Sequence, residues 1–140
     1  MKVGFTGTKR GMTAAQHAAV CRLLGELGPS EVHHGCCIGA DEQVDGFGCR
    51  MVLHPPVDQH AMMQIGNRVT CEPRPFLERN HDIVDATQCL IAAPAQAIEH
   101  TRSGTWATVR YARKVGRTVY VVLPDGRVRF ESPDLPRRSL

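Results

Sequence analysis

The sequence predicts a three-layer α/β domain whose central parallel sheet has about five strands in the order 3-2-1-4-5. Short strand-forming segments alternate with helix-forming segments along the chain, which is the pattern of connected βαβ units. The two best strand segments, QCLIAA and RTVYVVL, are apolar through most of their length, as expected of strands that helices cover on both faces. The predicted order is the usual one for a doubly wound sheet.

The first half of the chain is predicted to contain three strands and two helices. The strands are Lys2–Thr6, Glu31–His34 and Arg50–His54, and the helices are Thr13–Leu27 and Asp41–Cys49. The first helix has the clearest signals, because Thr13 and Gln16 have capping-box spacing and Gly28 follows its last apolar residue. Its apolar residues also recur at i, i+3 and i+4. Two glycines weaken the second helix.

The second half begins with a long segment, residues 55–75, that contains prolines and has no periodicity. We expect a functional loop there, such as a lid or a side wall. Helices are then predicted at Phe76–Thr87 and Ser103–Val115, and strands at Gln88–Ala93 and Arg117–Leu123. Residues 1–123 therefore form the predicted domain. Residues 124–140 form a tail with a small edge strand over Val128–Phe130 and a flexible end.

Composition limits the class of protein. The chain has 140 residues, 42% of them hydrophobic, which is enough for one packed core. Its net charge of +3 and its aromatic content of 5% are low for a nucleic-acid-binding protein, so nucleic acid is an unexpected partner. No apolar run has the length of a membrane span and no secretory signal is visible. We therefore expect a cytoplasmic protein, without a membrane partner, whose six cysteines are reduced.

Ligands of doubly wound sheets bind beyond the carboxyl ends of the strands, near the point where the strand order reverses. Gly7, Thr8 and Lys9 follow the first predicted strand. A glycine lets the backbone approach a ligand, while the hydroxyl and ammonium groups suit a phosphate. The alternative interpretation is a tight turn with solvated basic side chains.

A second candidate loop, HGCCIGAD, follows the second strand. Gly35 and Gly39 suit a turn that leads into a helix, and Asp41 has the chemistry to bind ribose hydroxyls. Alternatively, Asp41 is an ordinary helix N-cap. The His-His-Gly-Cys-Cys run at residues 33–37 does not have the ligand spacing of a structural zinc site, so no metal is expected.

The strongest phosphate site in the sequence follows the fourth strand. Ser103, Gly104 and Thr105 begin a helix, and Arg102 precedes them. Backbone N–H groups at a helix N-terminus, together with the helix dipole, favour an anion. The alternative is a serine N-cap followed by a glycine that serves packing alone.

Several of these segments together resemble the SLOG superfamily, which includes the Lonely-Guy (LOG) phosphoribohydrolases and the DprA/Smf-like Rossmann proteins. The resemblance is carried by Glu78-Arg79-Asn80, by the strand that ends at Pro94, and by the run from Arg102 to Thr105. The loops TGTKRG and HGCCIGAD are also similar to the loops after the first two strands of that superfamily. The resemblance implies a Rossmann-like nucleotide-binding fold that is usually oligomeric, and a homodimer is expected on that ground.

The LOG enzymes hold a phosphate with a PGGxGTxxE motif whose glutamate takes part in catalysis. An arginine on the preceding helix helps to cleave the N-glycosidic bond of a nucleoside monophosphate. Arg79 falls at the position of that arginine, whereas Thr108 stands where the glutamate is expected. Threonine cannot replace a carboxylate in this chemistry. Glu99 is the candidate substitute, so Arg79 and Glu99 are the candidate catalytic residues.

Three functions follow from these observations. The first is binding or sensing of a nucleotide or nucleotide-derived metabolite without a further cofactor. In this reading the loops at residues 7–9 and 102–105 hold phosphate, Asp41 holds ribose, and Arg79 and Asn80 lie near the glycosidic bond or a second phosphate. The second is LOG-like hydrolysis of a nucleoside monophosphate, which the missing glutamate weakens. The third is DprA-like DNA binding, which the modest charge weakens.

Overall fold

The computed structural model describes residues 1–139, with side chains for residues 1–134, and has one seven-stranded sheet in that part of the chain. The strands are β1 (Lys2–Gly7), β2 (Glu31–His34), β3 (Arg50–Leu53), β4 (Cys89–Ala93), β5 (Thr118–Val122), β6 (Val128–Ser132) and β7 (Leu135–Ser139). The helices are α1 (Ala14–Leu27), α2 (Ala40–Val44), α3 (Phe76–Asp85) and α4 (Gly104–Lys114), with one 3₁₀ turn at Gln59–Ala61.

The first five strands are parallel and follow the order β3-β2-β1-β4-β5, which confirms the predicted fold class. Strands β6 and β7 extend the sheet in antiparallel fashion beyond β5. The sequence predicts one short edge strand and a flexible end for this tail. The structure differs, because β6 lies between β5 and β7 and both strands belong to the sheet. Leu140 lies outside the described residues.

Two apolar layers cover the sheet, one on each face, and alternate residues of β4 contribute to them. Ile91 packs with the α1 side chains, including Val20 and Leu24, on one face. Leu90 packs with Trp106 and other side chains of α4 on the opposite face. Because successive side chains of a strand point to opposite faces, an apolar strand such as β4 is buried on both sides.

Local signals explain where the helices begin and end. Thr13 caps α1 through the predicted capping box with Gln16, and Gly28 ends this helix in the left-handed conformation. Helix α2 ends at Val44, earlier than predicted, and the chain turns at Gly46 with a φ of +82°. On α3 the buried face contains Arg79, whereas the apolar residue Leu77 is 58% exposed.

The proline-containing segment 55–75 lies beside β2 and β3. Met63 is buried there with Cys36 and Leu53, and the backbone N–H of Cys71 donates to the carbonyl of Leu53. The segment therefore covers the edge of the sheet next to β3, where a strand edge would otherwise be open.

Candidate ligand-binding site

A pocket of about 370 Å³ lies at the carboxyl ends of β1 and β4, where the strand order reverses. This is the place at which doubly wound sheets bind ligands. The pocket brings together eleven of the residues that the sequence analysis singled out: Gly7, Thr8, Lys9, Gly35, Asp41, Arg79, Asn80, Arg102, Ser103, Gly104 and Thr105. Two others, Gly39 and Glu99, are not among its lining residues.

The loop after β1 forms one side of the pocket and is held by backbone hydrogen bonds. The N–H of Thr8 donates to the carbonyl of Ala93 at 3.0 Å, which joins this loop to the end of β4. The Thr8 carbonyl accepts the N–H of Ala40 at 3.0 Å. The ammonium group of Lys9 lies 4.1 Å from the ring centroid of Phe76, a cation–π distance. The loop is thus a fixed platform whose lysine is positioned by an aromatic ring.

Gly39 supports the pocket from behind. Its φ is +97°, and a side-chain carbon at this position would overlap the carbonyl group of Lys9. Gly35 has a similar role, because a side chain there would overlap the guanidinium group of Arg79. Both glycines therefore permit close contact between neighbouring parts of the site, which is their usual reason for use at such positions.

Asp41 is a buried carboxyl group, 6% exposed, that lines the pocket. Its Oδ2 accepts the backbone N–H of Cys37 at 3.2 Å, whereas its Oδ1 is buried without a hydrogen-bond partner among the described residues. Burial raises the pKa of Asp41, and the positive charges of His34 and Arg79 oppose that rise. The N-cap of α2 is Gly39 and not Asp41. A buried oxygen without a partner is costly, so Asp41 has an acceptor to offer to a ligand.

Arg79 is also buried, at 5% exposure. Its Nη1 donates to the carbonyl oxygens of Gly35 and His54, and its Nε donates to Oδ1 of Asn80 at 2.8 Å. The Cys37 sulfur lies 3.6 Å from Nη2. All these hydrogen-bond partners are neutral, and Arg79 brings a positive charge to the pocket.

The N-terminus of α4 forms the opposite side of the pocket. Ser103 is the N-cap, and its Oγ accepts the N–H of Trp106 at 3.2 Å. The first N–H groups of a helix have no acceptor within the helix, and this capping bond leaves those of Gly104 and Thr105 for a ligand. The side chain of Arg102 is exposed at the same place. The geometry is that of an anion-binding helix end.

Glu99 lies outside this arrangement. Its two oxygens bind Arg110 at 3.2 Å and Arg113 at 2.8 Å, and the hydrogen bond from Arg113 is the largest of the effects that lower the pKa of Glu99. Thr108 is buried, and its hydroxyl donates to the carbonyl of Gly104 at 2.8 Å. Among the described residues, Asp41 is therefore the carboxyl group that lines the pocket.

The pocket lining also contains residues without a predicted site role, notably Phe76, Cys37 and Gln96. Phe76 begins α3, and its ring contacts Lys9. Gln96 follows β4 by three positions, and its Oε1 is buried without a described partner. Its position just after a strand was a usable signal. Nothing in the sequence distinguishes Cys37 from the other cysteines.

A second group of polar side chains lies beside β2 and β3, away from the pocket. His33 lies 2.9 Å from both Glu31 and His54, while Asp45 binds His34 and Arg68. Among the side chains that the structure describes, no three His, Cys, Asp or Glu residues are grouped to hold a metal ion. The helices described within residues 1–139 include none that is long and apolar enough to cross a membrane.

Comparison with known proteins supports the fold and leaves the ligand open. No model of a protein family matches the chain, and no curated protein matches it. An X-ray structure of TM1055, a structural genomics target, is similar over 84% of this chain and 71% of its own, with 17% identity and a TM-score of 0.54. The likeness shows a Rossmann-like three-layer α/β fold.

Proposed function

We propose that this protein binds a nucleotide or a nucleotide-derived metabolite in the pocket between the β1 loop and the α4 N-terminus. One observation carries the proposal: two separate loops, each suited to an anion, line a single cavity at the point where the strand order reverses. The loop at residues 7–9 contributes Lys9, and the run at residues 102–105 contributes Arg102 and free helix N–H groups. A phosphate between them receives charge-assisted hydrogen bonds from both sides.

The remainder of the pocket suits the rest of a nucleotide. The unpartnered Oδ1 of Asp41 is an acceptor for a sugar hydroxyl. Phe5, Phe76 and Ile83 add apolar surface to the lining, and a base needs such surface. A volume of about 370 Å³ is within the range of about 300–1,000 Å³ for small-molecule sites.

Binding without hydrolysis is the function that the carboxyl groups support. Glu99 is occupied by two arginines on α4, and Thr108 is bonded within its own helix. Hydrolysis of an N-glycosidic bond uses a carboxylate that stabilises the cationic transition state or activates water. Asp41 is the one carboxyl group of the described lining, and burial raises its pKa, which reduces its use as an anion.

A thermal-shift screen against nucleoside phosphates, NAD derivatives and cyclic nucleotides tests the proposal. A ligand that binds only the folded protein stabilises it by about 2.7 kcal/mol at a hundredfold excess over its dissociation constant. Gly104→Val is the most informative variant, because Gly104 lines the pocket and a Cβ there meets no protein atom within 4 Å. Lys114→Gln, at the opposite end of α4, is the control.

We expect at least one nucleotide to raise the melting temperature of the wild type and of Lys114→Gln. It should have no effect on Gly104→Val, which should melt near the wild-type temperature without ligand. Chromatography of the mixture should return the nucleotide intact. Release of free base with turnover would assign hydrolysis instead, and the absence of any nucleotide effect would remove the proposal.

A further inference from the structure

Cationic side chains outnumber carboxyl groups in the pocket lining. Lys9, Arg10, Arg79 and Arg102 are cationic, and Asp41 is the single carboxyl group among the described lining residues. Elsewhere on the molecule, several arginines pair with carboxylates, as on α4 and beside β3. In the part of the chain with described side chains, no carboxylate lies within 4.0 Å of Lys9, Arg10 or Arg102.

Two members of this set, Arg79 and Asp41, are buried. Arg79 and Asp41 interact electrostatically, and Arg79 opposes the rise in the pKa of Asp41 that burial causes. When this pair is set aside, three exposed cations remain for the ligand. They lie on two segments, Lys9 and Arg10 on the β1 loop and Arg102 at the N-terminus of α4.

These two segments line the same pocket, on opposite sides of it. A phosphate monoester carries about −1.5 to −2 at pH 7, which leaves part of the charge on the two segments unbalanced. A second phosphoryl group adds one further negative charge and the reach to contact both segments.

We propose, on the premise of nucleotide binding given above, that the ligand is a nucleoside diphosphate whose two phosphoryl groups lie one at each segment. Arg102 and the N–H groups of Gly104 and Thr105 hold one group, and the β1 loop with Lys9 and Arg10 holds the other. A second and independent feature of the cavity is the buried Oδ1 of Asp41, which has no described partner and accepts a ligand hydroxyl.

Calorimetric titration of the full chain with matched mono- and diphosphates of adenosine, guanosine, cytidine and uridine tests this assignment at fixed salt. For the preferred base, the diphosphate should bind at least about tenfold more tightly than the monophosphate, since a charge-assisted hydrogen bond is worth that much in affinity. Lys9→Gln and Arg102→Gln should each weaken diphosphate binding about tenfold. Lys114→Gln, which removes the same charge far from the pocket, should change it little.

The two proposals fail in different ways. Equal affinity for the mono- and diphosphate of the preferred base would overturn the diphosphate assignment and leave nucleotide binding intact. Loss of diphosphate affinity in Arg102→Gln but not in Lys9→Gln would also overturn it, because only one segment would then contact phosphate. If no nucleotide binds, nucleotide binding itself is wrong. Both substituted side chains are exposed, so melting temperatures near the wild-type value will show that the variants are folded.

Discussion

Two regions of the molecule are rich in polar groups: the pocket between β1 and β4, and the group beside β2 and β3, here called the flank, which consists of Glu31, His33, His34, Asp45, His54 and Arg68. The two regions differ in how their polar groups are bonded. On the flank, His33 lies between Glu31 and His54, and Asp45 binds two partners. In the pocket, the cations of the two loops have no carboxylate neighbour among the described residues, and one oxygen of Asp41 has no partner.

The difference separates a structural role from a binding role. Buried polar groups are normally hydrogen-bonded within the protein, because a group without a partner costs free energy. The flank obeys this rule, and its groups stabilise the fold around the segment at residues 55–75. The pocket departs from it at the place where doubly wound sheets bind ligands, as expected if the missing partners belong to a ligand.

The largest effect on the pocket is expected from Gly39→Ala. The φ of +97° and the overlap of a Cβ with the carbonyl group of Lys9 require the two loops to move apart. We expect a loss of about 3 kcal/mol in the free energy of unfolding, or about 10 °C in melting temperature. Gly46→Ala is the matched control, because its φ of +82° is also positive but nothing lies within 4 Å of its Cβ. Equal losses in the two variants would show that close contact between the loops is unimportant.

Arg79→Met tests the residue that joins the two regions, since Arg79 donates to the carbonyl of Gly35 in the pocket and to that of His54 on the flank. The substitution leaves both buried carbonyls without this donor, and we expect a loss of about 2 kcal/mol in unfolding free energy. Nucleotide binding should weaken as well, because the cavity loses its buried positive charge. Chemical denaturation of Arg79→Met and of Arg22→Met, an exposed arginine on α1, provides the comparison. A loss no larger than that of Arg22→Met would contradict this role.

Because of His54 on the flank, we expect the protein to lose stability in mild acid. Burial, with the nearby charges of His33 and Arg79, lowers the pKa of His54 from 6.5 to about 4. The unfolded chain therefore binds a proton that the folded chain excludes, so the stabilisation is present above pH 6.5 and is lost as the pH falls toward 4. At pH 5 the loss from this group reaches about 2 kcal/mol.

His54→Gln retains a hydrogen-bond donor toward His33 but does not titrate in this range. Between pH 7 and pH 5, we expect the free energy of unfolding of this variant to fall less steeply than that of the wild type. The difference in slope should correspond to about one proton fewer taken up on unfolding. Parallel slopes for the two proteins in urea titrations would show that His54 is not kept neutral by the fold.

The fold was predictable because hydrophobic periodicity is a local property of the sequence. The strand order follows a general rule for doubly wound sheets. The apolar run of β4 and the capping box of α1 needed no tertiary information. The convergence of the loops after β1, β2 and β4 also followed from the rule for parallel sheets, which is why eleven predicted residues line one pocket.

The burial of Arg79 was not predictable from helix periodicity, because an arginine counts as polar in that pattern. Its acceptors are carbonyl groups 44 and 25 positions away in the chain, and only the tertiary fold brings them together. Strand β7 was missed for a related reason, since the tail is too polar to show strand periodicity and is ordered by pairing with β6. The unmatched charge of the pocket likewise depends on distances between side chains that no sequence pattern contains.

The smallest effect is expected from Glu99→Gln, which tests whether the ion-paired side chains of α4 are structural, as those of the flank are. Glu99 was a candidate catalytic residue, but it is exposed and bound to Arg110 and Arg113. Exposed ion pairs contribute little, so we expect a change below about 1 kcal/mol in stability. Ligand affinity and ligand recovery should equal those of the wild type, because the lost charge is not in the pocket lining. A Glu99→Gln protein that binds nucleotide differently would mean that this carboxylate leaves its arginines and enters the site, and the contrast between a paired surface and an unpaired pocket would then not hold on α4.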